Sequence, residues 1–317
     1  MRASQVVAPR RVEIIDVPLP SLEPGHVLVR TRYLGICGSD RPHVMHPQPE
    51  ELYPLPVGYP GHECIGMVEE SRSPDFAPGD RVLVLPPGMN LFQEYLAVDP
   101  QDFLMKLPED MDFRTLGLVQ PLGTVIHCCL KWGNILGKDA VVLGQGPIGL
   151  LFTAMLRTLG ARRIIAVDPL AYRLKAAQMM GATDIVLGEG PEVIIAVEDL
   201  TGGALADLVV EACGLEITYN LAFELVKRRG TVTLFGVPKK NPMTMLVTSM
   251  FRKEAVVINS VGPDKHSDMP LSLWFIQQGR VDVIPLPTHL LPFEHIQEAF
   301  EMAEEKRDGV IKVTLEV

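Results

Sequence analysis

The chain has 317 residues, with 29 lysines and arginines against 39 aspartates and glutamates, and its formal net charge is −10. With 47% hydrophobic and 21% charged residues, its composition fits one large or two ordinary globular domains and excludes disordered and fibrous chains. The surplus of acid argues against a nucleic-acid-binding surface, and no apolar run is long enough to span a bilayer. We therefore expect a cytoplasmic protein that binds neither nucleic acid nor membrane.

Short β-branched runs separated by turns dominate the chain up to about residue 112. Strands are predicted at 26–33, 64–69 and 81–85, and Pro24-Gly25 and Pro78-Gly79-Asp80 are turn signals between them. This alternation is typical of an antiparallel β region.

After Pro121 the pattern changes to apolar strands that alternate with helices. The predicted strands are 140–143, 164–167, 208–210 and 231–234. The predicted helices include 148–159 and 171–180. Continuous apolar strands between helices indicate a parallel sheet covered on both faces.

The tail beyond residue 261 does not extend this alternation, so we expect it to return to the first region. Its predicted helices are 268–278 and 293–305, and its predicted strands are 284–290 and 311–315.

The string Gly144-Gln145-Gly146-Pro147-Ile148-Gly149 joins a predicted strand to a predicted helix and fits the dinucleotide-binding pattern G-x-G-x-x-G. Its glycines let the backbone approach a pyrophosphate, and an acid about 20 residues later receives the ribose hydroxyls. Asp168 ends the next strand. Because an acid there repels a 2′-phosphate, NAD is predicted rather than NADP. Arg173 would soften that preference, although a solvated helix residue is the plainer interpretation.

Two glycine-rich segments of the first half carry residues that suit a metal ion. They are Gly35-Ile36-Cys37-Gly38-Ser39-Asp40 and Gly61-His62-Glu63. A thiolate, an imidazole and a carboxylate are typical ligands of Zn²⁺, which keeps an open position in catalytic sites. Taken singly, the cysteine and the histidine are each more typical of ordinary packing than of metal binding.

These segments, taken in order with other motifs, resemble the zinc-dependent medium-chain alcohol dehydrogenase/reductase family. The closing stretches 285–289 and 296–300 are similar to that family too, so the resemblance covers nearly the whole chain. The most similar branch is that of polyol, sugar and threonine dehydrogenases. The motifs are Cys37-Gly38-Ser39-Asp40, Gly61-His62-Glu63, Gly79-Asp80-Arg81-Val82, Gln120-Pro121-Leu122 and 144–149.

The resemblance implies an α/β fold with two domains. Residues 1–120 and 262–317 are expected to form a GroES-like, mostly β catalytic domain, and residues 121–261 a doubly wound Rossmann domain that binds NAD. The implied reaction is a zinc-dependent hydride transfer between NAD and a secondary alcohol, such as a polyol, a sugar derivative or an amino alcohol.

The resemblance also implies roles for single residues. Cys37 and His62 match the two constant zinc ligands, and Glu63 matches the acid beside the metal. Asp40 matches the carboxylate that orients the ligand histidine. Ser39 matches the hydroxyl that takes the substrate proton.

Two residues depart from the family pattern. Gln120 replaces the usual third ligand, a glutamate, so that either Gln120 ligates weakly, Glu63 takes its place, or the metal is lost. Pro42 stands where the histidine of the proton relay is usual. His43 or His46 then serves, or the proton leaves through water.

Further coenzyme contacts are expected in the second region. The resemblance positions Thr124, near the start of a helix predicted to begin after Pro121, beside the nicotinamide. Gly236 and Val237 follow a predicted parallel strand, where ligands usually bind. The segment 211–214 follows another such strand, and packing remains an alternative for both.

A lobe that holds a structural zinc in many relatives is missing. The chain runs from Val84 through Pro86-Pro87-Gly88 to Phe92, and it has no cysteine between Cys64 and Cys128. One catalytic zinc and no structural zinc are therefore expected. The resemblance suggests a homodimer through the edge strand near 255–258, or a homotetramer.

Two other functions remain open. A zinc-free enone or quinone reductase of the same fold is favoured by Gln120 and opposed by Cys37, His62 and Glu63. A non-catalytic NAD-binding protein is opposed by the presence of Ser39 and Cys37.

Overall fold

The computed structural model describes residues 1–85 and 88–317. The chain divides into two compact units, one formed by residues 1–120 and 286–317 and the other by residues 121–285. The connection predicted through Pro86-Pro87-Gly88 includes Pro86 and Pro87, which lie outside the described residues. Within the described ranges, each helix is too short or too polar to pass through a bilayer.

The strands are β1 (Arg2–Ala8), β2 (Arg11–Asp16), β3 (Val27–Gly35), β4 (Glu63–Ser71), β5 (Arg81–Val84), β6 (Tyr95–Val98), β7 (Leu104–Lys106), β8 (Asp139–Leu143), β9 (Arg163–Asp168), β10 (Asp184–Leu187), β11 (Ala206–Glu211), β12 (Val226–Leu234), β13 (Val256–Asn259), β14 (Pro287–Pro292) and β15 (Lys312–Glu316). The α-helices are α1 (Arg41–Met45), α2 (Pro100–Phe103), α3 (Phe113–Leu116), α4 (Val119–Cys129), α5 (Pro147–Thr158), α6 (Ala171–Met180), α7 (Glu192–Thr201), α8 (Glu216–Leu225), α9 (Val247–Lys253), α10 (Lys265–Gln277) and α11 (Ile296–Glu305).

The first unit is built on a mostly antiparallel sheet, as predicted. Its strand order is β14-β15-β3-β4-β5-β7, with β6 also paired to β3. β14 and β15 run parallel, and the other pairs that the described residues form in this sheet are antiparallel. A separate hairpin of β1 and β2 completes it. Of the tail that was expected to return to this unit, residues 286–317 do so. β15 pairs with β3, and Phe300 packs edge-to-face on Phe92 at 5.7 Å between ring centroids.

The second unit is a parallel six-stranded sheet of order β10-β9-β8-β11-β12-β13 with helices between its strands. All five residues of β8 are buried, as expected for a strand covered on both faces. The strand order reverses between β8 and β11. A parallel sheet of this kind binds ligands outside the carboxyl ends of its strands at such a point.

Several boundaries differ from those predicted, and two of them bear on the site. Residues 262–285 group with the second unit, because α10 packs on α4: a Cβ on Gly123 would lie 2.4 Å from Met269 Cε, and His127 Nδ1 lies 2.8 Å from Asp268 Oδ2. The helix predicted to begin after Pro121 begins at Val119, since a proline is tolerated in the first turn of a helix.

Candidate active site

Pairing of β3 with β4 brings the candidate metal ligands together. Gly35, the last residue of β3, lies opposite Glu63, the first residue of β4. Cys37 follows shortly after the end of β3, and His62 immediately precedes β4. One donor atom from each of Cys37, His62 and Glu63 lies within 4.8 Å of the others, which is the grouping that the family resemblance implies.

A single buried carboxylate holds two of these residues. Asp40 Oδ1 lies 2.8 Å from His62 Nδ1, and Asp40 Oδ2 accepts a hydrogen bond from the Cys37 N–H at 2.8 Å. Burial lowers the pKa of His62, but the charges of Asp40 and Cys37 and hydrogen bonds to both raise that pKa to about 12. With Nδ1 directed at Asp40, Nε2 of His62 is the nitrogen left for a ligand.

Glu63 is fixed by a lysine that sequence reasoning missed. Lys312 Nζ lies 2.5 Å from Glu63 Oε2 and also donates to the Ile36 carbonyl at 3.3 Å. Both charged side chains are nearly fully buried, with 3% and 4% of their area exposed. Burial by itself lowers the pKa of Lys312. The charges of Glu63 and Cys37 raise that pKa by a larger amount, so that it lies above its usual value. A lysine among the apolar residues of the last strand was the available signal.

The carboxylate of Glu63 folds across Gly35. A Cβ on Gly35 would lie only 2.0 Å from Glu63 Oε2. Any side chain at position 35 would therefore displace the carboxylate.

Of the proposed proton-handling residues, Ser39 is the one that contacts a candidate metal ligand in the described part of the chain. Ser39 Oγ donates to Cys37 Sγ at 3.2 Å. His43 Nδ1 lies 3.0 Å from the hydroxyl of Tyr59, and the two rings pack edge-to-face. His46 instead faces Glu304 at 3.4 Å on an exposed surface. Gln120 is half-buried at the second position of α4.

The glycine-rich turn has the close contacts that its sequence implies. Gly144 has φ +87°, and a Cβ there would lie 2.3 Å from Cys213 Sγ. A Cβ on Gly149 would lie 1.7 Å from the Gly144 carbonyl oxygen, so α5 packs directly on the end of β8. In front of Gly146, the nearest atom to an added Cβ is Arg173 Nη1 at 3.9 Å. The turn therefore leaves open space at Gly146, just before Pro147 and Ile148 begin α5.

Asp168 is held at the end of β9. Its carboxylate accepts from the Gln145 N–H at 2.7 Å and from the Leu170 N–H at 2.9 Å. Arg173 Nη1 lies 3.6 Å from Asp168 Oδ2, and its side chain is only 16% exposed. The interpretation of Arg173 as a solvated residue is therefore wrong, because the charge of Asp168 holds the guanidinium against the glycine-rich turn.

A cavity of about 340 Å³ lies at the carboxyl ends of β12 and β13, and Gly236 and Val237 line it. Sequence reasoning missed two polar residues of its lining, Lys131 and Ser260, whose Nζ and Oγ atoms are 3.1 Å apart. Thr124 Oγ1 donates to the Pro121 carbonyl at 2.7 Å within α4.

Comparison with protein families assigns both parts of the chain. Residues 23–109 match the alcohol dehydrogenase GroES-like domain, and residues 147–278 match the zinc-binding dehydrogenase family.

Individual relatives match the chain from end to end. An uncharacterized zinc-type alcohol dehydrogenase-like protein of Escherichia coli, YdjJ, is 30% identical over 96% of this chain and 97% of its own length. Sorbitol dehydrogenase of Bacillus subtilis is 26% identical over 99% and 96% of the two chains. The structure of an alcohol dehydrogenase from Thermus sp. ATN1 superposes with a TM-score of 0.88 at 27% identity and covers both chains completely. The chain therefore belongs to the zinc-containing medium-chain alcohol dehydrogenase family.

Proposed function

We propose that this protein transfers a hydride between NAD and a secondary alcohol, namely a polyol, a sugar derivative or an amino alcohol, at a zinc site. The observation that carries the proposal is the grouping of Cys37, His62 and Glu63 within 4.8 Å around the buried carboxylate of Asp40. The substrate class is supported by relatives named as sorbitol dehydrogenase and L-threonine 3-dehydrogenase, at 26% identity each.

The donor set fits zinc. Cys37 Sγ and His62 Nε2 supply the thiolate and imidazole that this ion prefers, and Asp40 holds the histidine from behind. Glu63 Oε2 is engaged by Lys312, which leaves Oε1 of Glu63 or the amide oxygen of Gln120 to complete the set. When bound, zinc supplies Lewis acidity toward the substrate oxygen.

The remaining acid–base work belongs to the protein. Ser39, whose hydroxyl lies against Cys37 Sγ, receives the proton of the substrate hydroxyl during oxidation. His43 carries that proton toward water, and its hydrogen bond with Tyr59 fixes the orientation of the imidazole. His46 is tied to Glu304 and takes no part.

The coenzyme is held by the second unit. Gly144, Gly146 and Gly149 admit the pyrophosphate at the start of α5, where Pro147 and Ile148 begin the helix. Asp168 and Arg173 receive the adenosine ribose beside β9. Because β11 and β12 lie on the other side of β8, the nicotinamide half extends to the cavity lined by Gly236 and Val237. Thr124 contacts the same half of the coenzyme.

Gln120 favours a second candidate, a zinc-free enone or quinone reductase, because a neutral amide is a weaker zinc ligand than a carboxylate. Metal analysis separates the two. We expect about one zinc per chain in the wild type purified without chelator, and its loss in Cys37→Ala. Unchanged zinc in Gln120→Ala would assign the third position to Glu63.

A wild type that is free of metal, and that gains zinc only as Gln120→Glu, would contradict the zinc mechanism and support enone reduction. A wild type that holds zinc and binds NADH but oxidises no alcohol in a panel of polyols, sugars and amino alcohols would contradict the proposed substrate class. We also propose that the protein is a homodimer formed through β13.

A further inference from the structure

Glu211, the last residue of β11, is completely buried and has no part in the chemistry proposed above. β11 lies between β8, which leads into the glycine-rich turn, and β12, which leads to Gly236 at the cavity. The carboxylate therefore lies between the two parts of the proposed coenzyme site. Burying a carboxylate there costs folding free energy unless its charge is hydrogen-bonded or paired.

One oxygen of this carboxylate organises the turn that follows β11. Glu211 Oε1 accepts hydrogen bonds from the Cys213 N–H at 2.8 Å, the Gly214 N–H at 2.9 Å and the Thr218 hydroxyl at 2.7 Å. Thr218 belongs to the first turn of α8. A single acceptor thus fixes both the 212–214 turn and the start of the next helix.

The turn held by Glu211 touches the backbone of the cavity wall directly. A Cβ on Gly214 would lie 1.9 Å from the Val237 carbonyl oxygen, and a Cβ on Gly236 would lie 2.1 Å from the Gly214 nitrogen. From the other side, the Tyr219 hydroxyl donates to the Gly236 carbonyl at 2.9 Å. The main chain at 236–237 therefore has no room to move independently of the 212–214 turn.

The second carboxylate oxygen faces the same wall. Glu211 Oε2 is buried without a hydrogen-bond partner in the described part of the chain, and it would lie 2.7 Å from a Cβ on Gly236. Burial raises the pKa of Glu211, whereas hydrogen bonds from the Thr218 hydroxyl and from the Cys213 and Gly214 N–H groups lower it. Such an unpaired buried oxygen calls for a functional reason.

We propose that Glu211 is a positioning residue for the nicotinamide half of the coenzyme: by holding the 212–214 turn, it fixes the main chain of Gly236 and Val237 at the cavity. The inference rests on the proposed function in assigning that cavity to the nicotinamide. Glu211 itself touches no reacting atom.

The test compares two ligands that differ in the nicotinamide alone. We would measure the Kd of NADH and of ADP-ribose for Glu211→Gln, which keeps the shape of the side chain but presents an N–H₂ group or a weaker acceptor to the wall. NADH binding is followed by fluorescence energy transfer from tryptophan to the bound NADH. All variants carry Trp274→Phe, so that Trp132, which packs on Phe152, is the sole tryptophan. ADP-ribose is measured by displacement of a fluorescent adenine nucleotide.

We expect the Kd of NADH to rise about tenfold, the effect of losing one hydrogen bond to a charged group, and that of ADP-ribose to rise less than about twofold. Glu216→Gln removes the charge of a partly exposed carboxylate at the start of α8 that accepts hydrogen bonds from Lys240 and the Thr244 N–H, and it should leave both values unchanged. An equal rise for the two ligands, or none for either, would overturn the positioning role, since a general loss of structure does not discriminate between them.

Thr218→Val provides a second, milder variant that leaves the carboxylate in place. It removes one of the three donors to Oε1, and we expect a selective rise of about threefold in the Kd of NADH. If Glu211→Gln does not fold, this variant decides: a selective rise supports the inference, and unchanged binding overturns it. A wild type that binds ADP-ribose no less tightly than NADH would instead show that the cavity assignment itself is wrong.

Discussion

The buried pair of Lys312 and Glu63 makes a strong prediction at the scale of single residues. Lys312→Met leaves the Glu63 carboxylate buried without its partner, so we expect the free energy of unfolding at neutral pH to fall by about 3–5 kcal/mol. Urea denaturation measures this loss. The double variant Lys312→Met with Glu63→Gln removes both charges and should recover most of it. If the single and the double variant lose the same free energy of unfolding, the unpaired charge of Glu63 is not the cause of the loss.

Gly35 makes a second prediction, because its lack of a side chain creates the space for Glu63. In Gly35→Ala the added carbon would overlap Glu63 Oε2, which lies 2.0 Å from its position. We expect the displaced carboxylate to weaken zinc binding by about tenfold, measured by competition with a chromogenic chelator. Gly133→Ala is the matched control, because a Cβ there meets no atom within 4 Å. Undiminished zinc affinity in Gly35→Ala would exclude Glu63 from the metal site.

At the scale of elements, Asp112 caps the helix that precedes α4 and Gln120. Its carboxylate accepts from the N–H groups of Arg114 and Thr115 at 3.0 Å each. Although burial raises the pKa of Asp112, these bonds and one from the Thr115 hydroxyl lower it below its usual value. The cap therefore contributes stability above pH 4, which is lost as the pH falls through the lowered pKa.

We accordingly expect Asp112→Ala to reduce the free energy of unfolding by about 1 kcal/mol at pH 7 and by much less at pH 2. The measurement is urea denaturation of the wild type and the variant at both pH values. Asp110→Ala, which removes a nearby exposed acid, should change neither value. A loss that persists undiminished at pH 2 would rule out the charged cap as its cause.

Elements whose signals are local were predictable from the sequence. The β8–α5 unit combines an apolar strand, a glycine string and an apolar helix within 20 residues, and α6 has the bounds predicted for it, Ala171–Met180. The start of α4 was not predictable, because a proline marks either the end of a loop or the first turn of a helix. The family resemblance, rather than spacing alone, indicated the grouping of Cys37 with His62.

At the scale of the whole molecule, the features that escaped prediction depend on contacts between residues far apart in the chain. Lys312 meets Glu63 across about 250 positions. A lysine in an apolar strand indicates a buried charge, but the sequence around it does not identify Glu63 as its partner. The boundary at 285/286 likewise follows from the packing of α10 on α4 through Asp268 and His127. The hydrogen bonds of Glu211 are local in sequence. The contact of Gly236 with the turn that they fix is not local, and the sequence does not predict it.

The last prediction concerns the exposed edge of the parallel sheet. β13 is an edge strand, Val256 is 55% exposed on it, and Phe251 nearby is 79% exposed. An apolar edge with unpaired backbone groups favours pairing with the same strand of a second copy. Sedimentation equilibrium should therefore give the wild type twice the chain mass of 34.9 kDa. Val256→Asp should weaken association by about 2 kcal/mol or more, because it places a charge within the paired strands.

The opposite edge of the same sheet supplies the matched control. Ile185 lies on β10 and is 41% exposed, so that Ile185→Asp introduces the same charge at an edge strand that the dimer leaves free. We expect this variant to remain a dimer. A monomeric wild type would contradict pairing through β13, and dissociation by Ile185→Asp but not by Val256→Asp would move the interface to β10. Because β13 also borders the cavity at Asn259, the monomeric Val256→Asp would further show whether pairing of the chains contributes to NADH affinity.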